Sequence, residues 1–298
     1  MQSVRRACDA REVDYVLYTT TEVGDAERYV RQLCESSQEK NENVRIFACG
    51  GDGTVNECVN GAVGFDHAEI GVIPIGTGND FVRNFGGAQL FFDVEAQLDA
   101  NATAIDLIKY NDRYCVNMIN IGFDCEVAAR TAILKTNPLI PAKFAYICGI
   151  LGEFIKKSGT AFSYRMDGQS FPHQKLLLSL FANGGYCGGG FFTAPLAELS
   201  DGLIDFCLVK DIPQFRFLSL VGPYKKGTHL TMKNHQDIFD YGKCRELELI
   251  FDQTRRICVD GEIETCDSLH LRIEQDAVRF VIPDSKTKKE KCQEASVV

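Results

Sequence analysis

The chain has 298 residues, 45% hydrophobic and 24% charged, which is ordinary globular composition and enough for two cores of typical domain size. Its net charge is −9, from 32 Lys+Arg against 41 Asp+Glu, which argues against sequence-nonspecific nucleic-acid binding. Arg5 and Arg6 near the start are followed by no apolar stretch of signal-peptide type, and no apolar run approaches the roughly 20 residues of a spanning helix, so a cytoplasmic protein, at most peripheral to a membrane, is expected. The 13 cysteines are odd in number and scattered, with no Cys-x-x-Cys and no zinc spacing with histidine, so reduced, buried thiols are expected.

In chain order, residues 1–11 read as the tail of a helix and Val13–Thr19 as a strand. Gly24 opens a helix whose apolar positions Ala26, Tyr29, Val30 and Leu33 follow helical spacing. Val44–Ala48 reads as a buried strand, Val55–Gly61 as a helix ending at its glycine, and Ile70–Pro74 as a second strand. Alternating strands and helices of these lengths predict a parallel sheet with helices on its faces. Beyond Gly86-Gly87 the texture changes. Ile105–Lys109 and Tyr114–Asn120 pair around Asn111-Asp112, and helices are predicted over Phe123–Leu134 and Ala142–Lys157. The apolar stripe of the second, Phe144, Ile147, Leu151 and Phe154, reads first as core-facing and otherwise as the lining of a cleft for an apolar substrate. From Thr160 short strands dominate: Phe162–Met166, Lys175–Ala182, Leu203–Val209, Glu246–Phe251, Ile257–Val259, Leu269–Glu274 and Val278–Ile282, with helical interludes near Gln214–Val221 and His229–Asn234. The expected architecture is an α/β, Rossmann-like parallel-sheet domain over 1–105, a mostly antiparallel β-sandwich-like domain over 106–283, and a tail, 284–298, that is frayed or packs back on the first domain.

Two glycine turns follow the first buried strands. Gly50-Gly51-Asp52-Gly53-Thr54-Val55-Asn56-Glu57 joins a strand to a helix, and Gly76-Thr77-Gly78-Asn79-Asp80 follows the next strand. Strand, glycine turn and helix present backbone N–H groups to an anion, commonly a phosphate. A lone Gly-Gly-x-Gly is more often a plain tight turn, but Asp52 and Thr54 are residues that a plain turn does not require. In parallel sheets ligands bind beyond the carboxyl ends of the strands, where both turns lie. Late in the chain, Asp201-Gly202-Leu203-Ile204-Asp205 and Asp260-Gly261-Glu262 would each read alone as an ordinary turn.

Taken in order, these elements resemble the diacylglycerol kinase catalytic-domain family, and most closely its soluble bacterial members, from about Asp14 to Pro283. The resemblance implies an ATP-dependent lipid kinase that phosphorylates diacylglycerol or a related lipid alcohol, with its active site in the cleft between the two domains. It implies that Gly50, Gly51, Asp52, Gly53, Thr54, Val55, Asn56 and Glu57 contact ATP, joined by Gly76 and Thr77 from the second turn and by Thr21. Glu262 matches the general base, and Asp260 falls beside it in the catalytic set. Asp80 and Asp106 match acidic residues that organise Mg2+ and water. Asp201, the Leu203 carbonyl and Glu198 match a structural magnesium site. The implied partners are a membrane lipid substrate, through transient contact with the inner membrane face, and no nucleic acid; for self-association an isologous dimer is the default.

Family members begin with an apolar strand and an Asn-Pro-x-x-Gly loop, whereas residues 1–12 here correspond to the end of the following helix. The sheet is therefore expected to be one strand short and the nucleotide site to lack one wall. Two other readings stay open. One is an NAD kinase-like or phosphofructokinase-like enzyme, which shares Gly-Gly-Asp-Gly. The other is a catalytically silent nucleotide- or lipid-binding protein.

Overall fold

The structure is a computed structural model that describes residues 2–135, 152 and 159–283, and the chain divides into two compact units. One runs to Ile105 and resumes at Asp276; the other is Asp106–Gln275. The helix read over Ala142–Lys157 lies, but for Gly152, outside the described residues, as does the tail 284–298.

The first unit opens with α1 (Gln2–Asp9) and α2 (Asp25–Glu39). The strand expected at Val13–Thr19 does not form, and Val13, Tyr15, Val16, Leu17 and Tyr18 stand exposed. An extended segment becomes a strand only where a neighbour completes its ladder. Strand β1 (Val44–Gly50) pairs with β2 (Ala68–Pro74) in parallel register from Val44↔Ala68 to Gly50↔Pro74, and among the described residues it is the edge of the sheet, so residues 13–19 gain no ladder from it. Tyr18 is instead fixed by stacking on Tyr29, centroids 3.7 Å apart, and by donating to the Asp25 carboxylate at 3.1 Å.

Between these strands runs α3 (Asp52–Ala62). The sequence reading ended this helix at Gly61, but the helix continues past it. A Cβ on Gly61 would lie 2.6 Å from the Glu27 carbonyl oxygen, so the glycine serves close approach to α2 rather than termination. After β2 come a 3₁₀ turn (Phe81–Phe85), α4 (Ala88–Phe91) and α5 (Val94–Asp99), the last capped by the Asp93 carboxylate accepting from the Ala96 N–H. A third parallel strand reaches β2 from the far end of the chain, where Arg279 pairs with Glu69 and Phe280 with Ile70. Phe280 then packs edge-on against Phe81 and stacks on Phe85, which seals this core.

Two strands span both units, β3 (Ala102–Tyr110), which enters the second unit at Asp106, and β13 (Glu262–Val281), which leaves it after Gln275; the rest of the second unit is β4 (Arg113–Cys115), β5 (Met118–Gly122), α6 (Phe123–Lys135), β6 (Thr160–Met166), β7 (Gln169–Ala182), β8 (Tyr186–Cys187), β9 (Phe191–Phe192), β10 (Ile204–Lys210), α7 (Gln214–Lys226), β11 (Phe239–Cys244) and β12 (Glu246–Val259). The described pairings within it are antiparallel. β5 and β6 lie end to end between β7 and β12: β5 takes Leu178–Ala182 and Ile257–Val259, and β6 takes Gln169–Leu176 and Leu247–Phe251. Ile119, Ile121, Phe162, Phe181, Leu249 and Leu269 fill one core. Phe123, Val127, Leu220 and Tyr224 of α6 and α7 cover another with Met118, Leu178 and Leu180.

Glu246–Phe251 and Ile257–Val259, read as separate strands, form the single strand β12, whose register to β13 shifts between Ile250 and Arg255. Leu269–Glu274 and Val278–Ile282 likewise belong to one strand, β13, which passes from the second unit into the first with a positive φ of 51° at Asp276. Strand β11 was missed, because Asp240, Gly242 and Lys243 interrupt its apolar alternation.

Candidate functional site

In the first unit the two glycine turns touch through their backbones. The Gly50 carbonyl accepts from the N–H groups of Ile75 (3.0 Å) and Gly76 (3.1 Å), and a Cβ on Gly76 would overlap Gly51 Cα. Neither contact is open to a larger residue at Gly76. Gly51 is the N-cap of α3, so the free N–H groups and positive end of that helix open where the turns meet. Asp52 links the turns again, its Oδ1 accepting from the Phe81 N–H at 3.0 Å. A Cβ on Gly78 would fall 2.9 Å from Asp52 Oδ2 and 3.6 Å from Asp80 Oδ2, so two carboxylates converge where this residue carries no side chain. Asp80 is buried and pairs with Arg83, Nε to Oδ1 3.2 Å, and Asn79 braces the second turn by donating to the carbonyls of Pro74 and Gly76. Thr77 is exposed, and Gly50 and Gly53 are half-buried.

The other residues of the first turn are used locally. Thr54 packs its side chain on Gly50, which leaves no room for a Cβ there. Val55 is core, and Asn56 accepts from Asn60. Glu57 points back to α2, accepting from the Gly24 N–H at 2.9 Å and the Ala26 N–H at 3.1 Å, and so acts as the anionic cap of that helix. The exposed Thr21 is anchored beside it, its N–H and hydroxyl both donating to Asp25 Oδ2. Backbone donation from Thr21 first, then the hydroxyls, holds the Asp25 carboxyl below its ordinary range.

In the second unit Asp260 occupies the β12–β13 turn with φ 48°, followed by Gly261 with φ 96°. Its carboxylate accepts from the backbone N–H groups of Val116 (2.7 Å), Asn117 (2.9 Å) and Met118 (3.0 Å) and from the Cys115 thiol (3.2 Å). That side chain is thereby committed to fixing the turn that starts β13 with Glu262, and Glu262 itself is exposed. Asp106 is 1% exposed, and its Oδ2 accepts from the Gly202 N–H at 2.7 Å, tying β3 to the Asp-Gly loop. Asp201 Oδ1 accepts from the Leu203 N–H and its Oδ2 from Lys243 Nζ at 2.6 Å. Glu198 is exposed. Among the described residues, no three His, Cys, Asp or Glu side chains are grouped to hold a metal ion. The structure therefore gathers Gly50–Glu57, Gly76 and Asp80 into one place, and Asp106, Asp201 and Leu203 into another.

Sequence reasoning missed Lys243 and Asp205, whose carboxylate receives the Tyr241 hydroxyl at 2.6 Å and faces Lys243 at 3.3 Å. The i, i+4 acidic pair in Asp201-Gly202-Leu203-Ile204-Asp205 was the available signal. The cysteines among the described residues are all free, and burial pushes the thiol of Cys34 up to about 11 and that of Cys58 up to about 12, which makes them inert as nucleophiles.

A model of the diacylglycerol kinase catalytic domain matches residues 1–110, and one of the YegS C-terminal NAD kinase beta sandwich-like domain matches residues 117–282. The chain belongs to the diacylglycerol kinase catalytic-domain family. Its relatives include two proteins provisionally named lipid kinases. One, from Staphylococcus aureus (strain MRSA252), is 24% identical over 262 residues, covering 87% of this chain and 83% of the relative. The other, from Staphylococcus epidermidis (strain RP62A), is 27% identical over 263 residues, covering 87% and 82%. In fold the chain is similar to a crystal structure from Bacillus anthracis str. Sterne, provisionally titled a diacylglycerol kinase, with TM-score 0.74, 22% identity and coverage of 94% and 90%. A mixed α/β unit followed by a β-rich one is thus the shared architecture of this kinase family. No helix among the described residues is long and apolar enough to cross a membrane.

Proposed function

We propose that the chain is an ATP-dependent lipid kinase that transfers the γ-phosphate of ATP to the hydroxyl of diacylglycerol or a related lipid alcohol, giving phosphatidic acid when the acceptor is diacylglycerol. The observation that carries the reading is the backbone contact of the two glycine turns at the N-terminus of α3, in a chain whose two parts match a kinase catalytic domain and its companion β domain. Phosphoryl transfer asks the protein chiefly to position phosphates and balance charge, which backbone N–H groups at a helix start do without side-chain bulk. In this reading Gly51–Thr54 and Thr77 hold the nucleotide. Thr21 sits on a loop that Glu57 and Asp25 secure, so Glu57 serves ATP binding through the backbone it caps.

Glu262 takes the proton of the acceptor hydroxyl; the acceptor oxygen bonds to the γ-phosphorus as its bond to the β,γ-bridging oxygen breaks, and ADP leaves. Magnesium would supply charge neutralisation of the phosphates. The oxygen donors suited to it are the Asp52 and Asp80 carboxylates that converge over Gly78. The substrate places the protein transiently at a membrane surface.

The test is a phosphorylation panel with ATP, magnesium and lipid alcohols in mixed micelles, with NAD as a further acceptor. Turnover of diacylglycerol or another lipid alcohol, abolished by Glu262→Gln and Asp52→Ala in folded protein, is the expected result. Phosphorylation of NAD with no lipid turnover, or full lipid turnover by Glu262→Gln, would overturn it.

A further inference from the structure

The loop that resemblance assigns to a structural magnesium ion already holds a cation of the protein's own. Lys243 Nζ lies 2.6 Å from Asp201 Oδ2 and 3.3 Å from Asp205 Oδ2. The arrangement is fixed by register, since Asp205 and Lys243 are direct partners across the antiparallel pair β10–β11. Asp201 reaches the same ammonium from the loop just before β10. The remaining oxygens also have donors: Asp201 Oδ1 accepts from the Leu203 N–H at 3.0 Å, and Asp205 Oδ1 from the Tyr241 hydroxyl at 2.6 Å. Behind the loop, Asp106 Oδ2 takes the Gly202 N–H.

A magnesium ion on Asp201 Oδ2 would need an oxygen ligand at about 2.0–2.1 Å and several more around it in an octahedron. The Lys243 ammonium already sits on that oxygen at 2.6 Å, and a second cation on the same carboxylate oxygen would be repelled strongly in a part-buried site. Glu198 is exposed, and both Asp201 oxygens already have donors in Lys243 and the Leu203 N–H, so the residues present do not fit the ion.

We infer that Lys243 is a built-in replacement for the divalent ion, so that the second unit locks its Asp201–Asp205 loop without metal. The ammonium supplies one positive charge to two carboxylates, one of them only 1% exposed, through two contacts that magnesium would otherwise have to make. A cation tethered at this place cannot be removed by chelation. The inference is independent of which acceptor the kinase uses, because no step of the chemistry enters it.

The experiment uses the full chain without nucleotide. Thermal unfolding is followed in EDTA and in millimolar Mg2+, and Mn2+ binding is titrated by water-proton relaxation, for the wild type, Asp201→Asn and Lys243→Met. The wild type is expected to unfold at the same temperature in EDTA and in Mg2+. Any Mn2+ it binds is expected to survive Asp201→Asn. Lys243→Met is expected to unfold several degrees lower in EDTA and to regain part of the loss in Mg2+ or Mn2+, because the two carboxylates are then free to take an ion. A wild-type Mn2+ site that Asp201→Asn abolishes, or a wild-type melting temperature that falls on chelation, would overturn the inference. So would a Lys243→Met protein as stable in EDTA as the wild type. If Lys243→Met does not fold, the wild-type and Asp201→Asn measurements decide the question alone.

Discussion

Asp260→Asn should destabilise the second unit more than any other single change of a charged residue to its amide in the candidate site. The Asp260 carboxylate receives three backbone N–H groups from the β4–β5 connection, at 2.7, 2.9 and 3.0 Å. Asparagine tolerates the φ of 48° at this position, so the substitution adds no backbone strain and isolates the hydrogen bonds. An amide can keep its oxygen toward Asn117 and Met118, but its NH2 then faces the Val116 N–H, donor to donor. Losing one charge-assisted bond costs roughly 1.5–3 kcal/mol, and stranding the N–H of a residue 2% exposed costs about 1–3 more, so about 4 kcal/mol is expected. For a unit of this size that is a fall of roughly 8–16 °C in melting temperature, read by circular dichroism. An Asp260→Asn protein within about 1 kcal/mol of wild type would refute the idea that this carboxylate pins the turn.

The remaining predictions follow the same geometry. Glu262→Gln, at an exposed position, should leave unfolding within about 0.5 kcal/mol of wild type while lowering kcat by roughly 10²–10⁴-fold; a stability loss equal to that of Asp260→Asn would instead mark Glu262 as structural. Gly76→Ala should cost about 2 kcal/mol or more and raise the KM for ATP, because its Cβ would overlap Gly51; an alanine protein that melts like wild type would show that the turns are not in contact. His229 is fully buried with its pKa lowered by burial to about 4, so its neutral form favours folding above pH 6.5 and that stability, about 3 kcal/mol, is lost as pH falls from 6.5 to 4. Asp124 works in the opposite sense: burial raises it to about 7, so its contribution is full below the unfolded pKa of 3.8 and lost as pH rises through 7. His229→Phe, whose ring would stay between Tyr224 and Phe239, should therefore gain on wild type at pH 5 relative to pH 8, and Asp124→Asn the reverse. Parallel urea-denaturation curves at the two pH values check both, and pH-independent differences would refute them.

What could be read from the sequence followed local rules. Val44–Gly50, the glycine turn and α3 carry periodicity and turn chemistry within one short window, and the paired strands around Asp167-Gly168 do the same. Val13–Thr19 looked no less strand-like, yet strand formation depends on a neighbour that propensity does not report. Resemblance gives Glu57 to the nucleotide and Asp260 to the catalytic set; the fold adds that Gly24, Ala26 and residues 116–118 come round to use their carboxylates. Lys243 was invisible because it lies 42 positions from Asp201 on a strand whose alternation is broken.

The interrupted first unit also has a consequence for synthesis. Its third strand, with Phe280 as the plug between Phe81 and Phe85, is translated only after the whole second unit. At the usual pace of elongation the ribosome needs on the order of ten to thirty seconds to make those about 170 residues. Throughout that time β1 and β2 wait with an apolar edge uncovered. The second unit, continuous in the chain, can finish first, so the emerging polypeptide would complete its later half before its earlier one. The interval is when a nascent chain of this kind would most need a chaperone.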